Sequence, residues 1–296
     1  MVDINVNPNL FSFDFVSAFI VSWHGFFSFV AVASAVLLVG RWANLVVLTG
    51  NETSESENKL DSDVIYSVAI WAIAGGIVGA RLVHVLDNWD LYKDNLIQIL
   101  YVANGGIALW GGILGGFLAG AGYCLIFKYP VGVIADLAAP AVLYAQTIGR
   151  LGDIVNGEHC ARAADFFGFR WIHELSNARV CANGVENGSQ PVILFEMVWN
   201  MIALVVIWKF RGRIKPDGML FALYLVLYSV GRFLITFFRE DRVWAFGMQE
   251  AHYIALLVLV ITVPLLVAKG RFSRAFSTVT APAHSGTRAQ RRRQNR

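Results

Sequence analysis

Charged side chains are scarce in this sequence. Asp, Glu, Lys and Arg make up 15% of its 296 residues, against roughly 25% in soluble domains. The deficit falls in runs of about 20 apolar residues, the length a helix needs to cross a bilayer, so an ordinary soluble core is excluded. Cysteine is also rare: Cys124 lies in an apolar run, and Cys160 and Cys181 lie in a polar segment. No CxxC or His–Cys spacing suggests a metal site, and none is expected. No basic stretch precedes an early apolar core, so no cleaved signal peptide is expected. Neither an internal repeat nor paired, centrally interrupted spans are visible, which argues against a transporter. The basic C-terminal tail has no aromatics and no fold behind it, so nucleic acid is not an expected partner.

What is present is apolar length. Hydrophobic residues make up 56% of the chain, and the runs predict an all-α integral membrane protein with about seven transmembrane helices. The spans fall near 17–40, 64–86, 104–127, 131–149, 191–209, 217–238 and 250–269. The fourth, with Asp136 and Pro140, is the least typical. The connection over about 150–190 is too long for a turn and is expected to fold as a small head. Residues 1–269 then form one functional unit. Residues 270–296, rich in Ser, Thr, Ala and Arg, read as a disordered basic tail lying against anionic lipid. The loop Asn51–Glu57 reads as a solvated connector. Lys and Arg counts set the orientation. With the N-terminus outside, fifteen of the 24 basic residues fall on inner segments, and the first sixteen residues hold none. N-out, C-in is the expected topology, with the head extracytoplasmic. Oxidising conditions there permit a Cys160–Cys181 bridge, and both bridge and free thiols stay open.

One stretch resists the apolar pattern: Gly149-Arg150-Leu151-Gly152-Asp153-Ile154-Val155-Asn156-Gly157-Glu158. Polar groups near hydrocarbon must be paired with one another, with water or with a ligand, because unpaired ones cost several kcal/mol each. Arg81, Arg150, Arg232, Arg239 and Arg242 all fall at or near outer span ends. Singly, Arg232 or Arg242 is best read as snorkelling to the interface. Together the arginines suggest an anion, and a lipid phosphate suits the guanidinium fork. In span three, Gly112, Gly116 and Gly120 share a helix face and read as a close-packing surface.

With these residues assembled, the chain resembles the prolipoprotein diacylglyceryl transferases over nearly its whole length. The family signature, Gly-Arg-x-Gly-Asn followed by x-x-Asn-x-Glu, is matched by residues 149–158. Gly79-Ala80-Arg81, Gly105-Gly106 with Gly111-Gly112, Leu194-Phe195-Glu196 and Phe237-Phe238-Arg239 support it. Departures are Asp153 for the signature's first asparagine, Ala161 for a glycine, His24 for a first-span tyrosine and Trp110 for a histidine or tyrosine. The resemblance implies transfer of diacylglycerol from phosphatidylglycerol to the lipobox cysteine of a prolipoprotein, in a bacterial cytoplasmic membrane with the site facing the outer leaflet. It implies no cofactor, and as partners phosphatidylglycerol, prolipoprotein signal peptides and the membrane itself. The alternative is a relative that binds anionic lipid or signal peptides without turnover.

That chemistry needs a cationic phosphate site and a base, because a thiol of pKa about 8.5 is mostly protonated at neutral pH. Arg150 is the expected phosphate binder, and Arg239 the second cation, acting on the leaving group unless it is spent on Glu240 or Asp241. His24 and Asp153 are rival candidates for the base; either could instead pair with Arg150. Glu158 either holds one of the arginines or faces solvent. Asn156 is expected to bond lipid glycerol or head backbone. Trp110 is either an interfacial anchor or a substrate contact. Arg81 completes the expected substrate-binding set.

Overall fold

The computed structural model describes residues 1–13, 19–46, 60–101, 105–181 and 188–272. In chain order the elements are β1 (Val2–Ile4), β2 (Asn9–Phe13), β3 (Phe19–Ser22), α1 (Trp23–Ala43), α2 (Ser62–Asp87), the single turn α3 (Trp89–Tyr92), α4 (Leu109–Ile126), α5 (Val131–Asn156), β4 (Phe169–Trp171), α6 (Val192–Phe210), β5 (Ile214–Lys215), α7 (Met219–Thr236), α8 (Glu250–Lys269) and β6 (Arg271–Phe272). Seven of the described helices are long and apolar enough to cross a membrane.

The helix ends follow local chemistry. Ser22 caps α1 by accepting from Gly25 N at 3.1 Å, and Asp61 caps α2 by accepting from Asp63 N at 3.2 Å, each satisfying an otherwise orphaned donor. Asp136, which made the fourth span look atypical, accepts from Gly218 N (2.8 Å) and Phe221 N (2.9 Å) at the start of α7. Its negative charge thus meets a helix N-terminus.

Two close helix pairs shape the bundle. In α2 and α4, Gly75 and Gly79 stand so near Gly111 and Gly115 that a Cβ on any of the four would overlap the partner backbone. Gly112, Gly116 and Gly120 also face α2, through Gly76, Ala80 and Ala72, with slightly more room. In α1 and α5, Gly152 lies against His24, where an added Cβ would be 2.7 Å from the His24 Cα. Backbones meeting this closely gain dispersion contacts that longer side chains would forbid. Apolar clusters fill the rest: Val39, Ile65, Cys124 and Leu137 on one side, and Leu143, Ile207, Leu220 and Tyr224 on the other.

Three expectations are corrected. The fourth span does not stop at 149; α5 runs through the signature to Asn156 and ends where Gly157 turns left-handed at φ 70°, the usual role of a terminal glycine. The first span does not begin at 17, because Phe19–Ser22 pair with β2 and the helix starts at Trp23. The tail is not unstructured from 270: Arg271 and Phe272 pair with Lys215 and Ile214. The remaining tail, 273–296, and the Asn51–Glu57 loop lie outside the described residues.

Residues 157–181 and 188–191 form a small unit beyond α5. Cys160 and Cys181 are disulfide-bonded, their Cα atoms 5.2 Å apart. β4 pairs in parallel with β1, and Arg170 forks onto Asp3 at 2.8 and 2.7 Å. Trp171, almost fully buried, donates its indole N–H to Ile154 O at 2.8 Å. The unit is thereby fixed to the last turn of α5.

Candidate active site

Because α5 continues through the signature, Arg150, Asp153 and Asn156 recur every three residues and share a helix face. Gly152 lets the start of α1 approach that face. There His24 donates Nδ1–H to Asp153 Oδ1 at 2.6 Å. The carboxylate also faces the N-terminal end of α1, where helix dipoles favour negative charge. The His24 side chain stays about half exposed, at 47%, against 4% for Asp153.

Arg150 donates Nη1–H to Asp153 Oδ2 at 2.5 Å, and its Nη2 is paired with Glu196 Oε2 of α6. The other Glu196 oxygen accepts from Arg232 of α7 at 2.5 Å and lies 3.9 Å from Arg239 Nη1. Arg239 comes from the chain after α7. It is placed by pairing of residues 160–162 with 238–240: Arg162 N donates to Phe238 O and Glu240 N to Cys160 O, both at 3.1 Å. Its carbonyl accepts from Gln249 Nε2 at 2.7 Å, and its guanidinium forks onto Asp241 at 2.7 and 3.2 Å. Three guanidinium groups thus face three carboxylates: Asp153, Glu196 and Asp241.

His159 lies at the centre. After the turn at Gly157, its Nε2 stands 2.8 Å from Arg150 Nη1 and its Nδ1 stands 3.1 Å from Arg239 Nη2. Nε2 is also 3.5 Å from Asp153 Oδ2. Burial pushes the His159 imidazole below its ordinary pKa, and the charges of Arg239 and Arg150 push it the same way, against the pull of Asp153. It is therefore held neutral. Burial alone would raise the Asp241 carboxyl, but the hydrogen bond and charge of Arg239, with Arg232, hold it below the usual range. Arg239 Nη1 is buried and without a hydrogen-bond partner among the described residues. A buried donor left unmade is costly, so this face of the cluster is short of an acceptor.

The sequence-derived set is only partly brought together. His24, Arg150, Asp153 and Arg239 converge. Asn156 and Glu158 adjoin them but bond each other at 2.9 Å. Glu158 also accepts from Asn177 at 3.1 Å, so it holds amides rather than an arginine. Arg81 turns elsewhere: its guanidinium donates to the carbonyls of Gln98, Ile99, Gly105 and Gly106 at 2.6–2.8 Å. Trp110 lies in the first turn of α4, partly buried. Arg232 pairs with Glu196 instead of snorkelling. Sequence reasoning missed His159 altogether and did not place Glu196 in the cluster, though Glu196 carried a signal as a carboxylate inside an apolar run. It did offer Asp241 as a partner for Arg239, and the two pair.

A cavity of about 30 Å³ behind Arg150, bounded by Gln146, Glu196, Asn200, Tyr228 and Arg232, is closer to the size of a water than of a lipid head group.

Fold and site together define a seven-helix, membrane-spanning bundle with a cluster of three arginines and three carboxylates, one buried guanidinium donor left unpartnered among the described residues, where helices meet a small disulfide-bonded unit. A family model described as prolipoprotein diacylglyceryl transferase matches residues 10–268. A phosphatidylglycerol–prolipoprotein diacylglyceryl transferase from Listeria innocua is 32% identical over 250 residues, covering 83% of this chain and 85% of its own. One from Streptococcus pyogenes is 30% identical over 240 residues, covering 78% and 91%. The chain belongs to the prolipoprotein diacylglyceryl transferase family.

Proposed function

We propose that the Arg150–Arg239 cluster is where this enzyme holds the phosphate of phosphatidylglycerol while the lipobox cysteine takes its diacylglyceryl group. Family membership supplies the reaction, diacylglyceryl transfer to a prolipoprotein cysteine. The observation that carries the assignment of the site is the buried, unpartnered Nη1 donor of Arg239, on a guanidinium that meets the same His159 imidazole as Arg150 does.

The step balances within the cluster. The thiol proton goes to His24 Nε2, while Asp153 holds Nδ1–H and fixes the tautomer, as a carboxylate does for a catalytic histidine. The thiolate attacks the glyceryl carbon; the S–C bond forms as the bond from that carbon to the phosphate oxygen breaks. Glycerol phosphate leaves with one more negative charge than the phosphodiester had. The proton retained on His24 offsets it, so the net charge of the site is unchanged through the step. Arg150 and Arg239 stabilise the charge gathering on the leaving oxygen.

The Lys and Arg distribution supports an N-out, C-in arrangement, with the cluster at the outer leaflet of a bacterial cytoplasmic membrane and the basic tail beyond 270 on the inner face. Residues 1–269 form the catalytic unit, with the head expected over about 150–190 beginning once α5 ends at Asn156. Purified protein given phosphatidylglycerol and a lipobox peptide should release glycerol phosphate, and Arg239→Ala should lower that release by about 10²–10³-fold. Lipid or peptide binding without release from folded wild-type protein would leave only a binding function.

A further inference from the structure

Arg150 and Arg239 share a neutral partner that can suit only one of them. A guanidinium only donates, and a neutral imidazole has one accepting nitrogen. His159 nevertheless meets Arg150 with Nε2 and Arg239 with Nδ1. Whichever tautomer is present, one of the two contacts sets an N–H against an N–H. Protonation makes both contacts unfavourable. Two oxygens of one anion would satisfy both arginines at once.

The remaining partners show what an arriving anion would displace. Arg150 is otherwise held by Asp153 and Glu196, and Arg239 by Asp241, with Glu196 close by. These are carboxylates, whose charge-assisted bonds are roughly twice as strong as neutral ones. His159 is the one neutral partner, common to both cations and 23% exposed. It belongs to the chain just beyond the left-handed turn at Gly157, not to a rigid helix.

We propose that His159 is a displaceable placeholder in the phosphate seat, holding Arg150 and Arg239 apart in the lipid-free protein and giving way to the head group. This rests on the phosphate assignment above. His159 is then a positioning residue for the empty site and takes no part at the reacting atoms. Apparent lipid affinity is lowered by the fraction of molecules in which the imidazole fills the seat.

The test compares His159→Leu with wild type in nanodiscs of defined phosphatidylglycerol content, measuring transfer kinetics with a lipobox peptide and, separately, lipid binding. The expected result is a KM for phosphatidylglycerol lower by about threefold or more, with the change confined to KM, and a matching shift in the binding midpoint. A kcat about tenfold lower at unchanged KM would place His159 at the reacting atoms and overturn the proposal. Unchanged KM and binding would overturn it too. If His159→Leu does not fold, His159→Ala, which also removes the imidazole, carries the same expectations. Arg239→Ala run alongside separates the two readings. Turnover surviving in that variant sinks the phosphate site and the placeholder together. Turnover lost there, with His159 variants like wild type, sinks the placeholder alone.

Discussion

Arg81 and Arg239 are both buried to 6% relative exposure, both belong to family-like motifs, and both belong to span ends that alternate to the same side of the bundle. Their surroundings differ in one respect. Arg81 is caged by the backbone carbonyls of Gln98, Ile99, Tyr101, Gly105 and Gly106, which are fixed to the chain and cannot be exchanged. The cage also organises the connection between α3 and α4, where Gly105 and Gly106 adopt positive φ. Arg239 is held by side chains, keeps one buried donor unpartnered and shares a neutral imidazole with Arg150. A buried arginine is therefore not in itself a binding site. What distinguishes one is whether its acceptors can be replaced.

Paired substitutions should break that comparison apart. Arg239→Ala or Arg150→Ala should lower transfer by about 10²–10³-fold in folded protein, the loss typical of removing a donor from a developing anion. Arg81→Ala should act mainly on the fold, with carbonyls left unsatisfied at about 1–3 kcal/mol each, read as reduced thermal stability in detergent. If Arg81→Ala instead lost turnover at unchanged stability, the contrast would collapse.

Asp153→Asn should lower transfer by about 10²-fold or more by loosening the tautomer of His24. The family pattern pairs asparagine at this position with tyrosine in the first span. The double variant His24→Tyr/Asp153→Asn should therefore recover part of the loss, a coupling expected of residues in contact. Additive losses would mean that His24 and Asp153 do not act as a unit.

Smaller effects probe the frame around Arg239. Cys160→Ser should cost about 2–4 kcal/mol of stability and loosen the segment that pairs with residues 238–240, seen as lower thermal stability and weaker transfer. Smallest is a pH effect. The His159 pKa is depressed from its ordinary 6.5, so below that value the unfolded chain binds a proton that the folded one resists. Stability then falls as pH drops through this window. His159→Leu should flatten that part of a thermal-stability profile taken from pH 7 to pH 5. Asp241, also depressed, contributes in the same direction at lower pH.

Much of the fold was legible. Apolar runs gave all seven spans to within a few residues at most ends, because hydrocarbon thickness dictates their length. The ends that failed did so where local chemistry overrode hydropathy. Polar Arg150, Asp153 and Asn156 look like the close of a span, yet α5 continues because they share one face and Gly157 is the first residue able to stop it. Phe19–Ser22 are apolar enough for a membrane but pair as a strand. Of the candidate cluster, Arg150, Asp153, His24 and Arg239 could be named, three of them from the signature and related motifs, and the structure brings them together. His159 could not be found, because its role depends on a guanidinium 80 residues away.

The sequence by itself determined the class: too few charges to coat a soluble protein, too many apolar runs for anything but a membrane bundle, and polar residues gathered where lipid tolerates them only in company. Tertiary structure decided who keeps that company. Arg81 and Arg239 are the same residue in similar burial, and no local pattern separates them. Hydrogen bonding depends on which acceptors packing brings within about 3 Å. For Arg81 they are carbonyls between α3 and α4; around Arg239 they come from the chain after α5, from α6 and from the chain after α7, segments that meet only when the bundle closes.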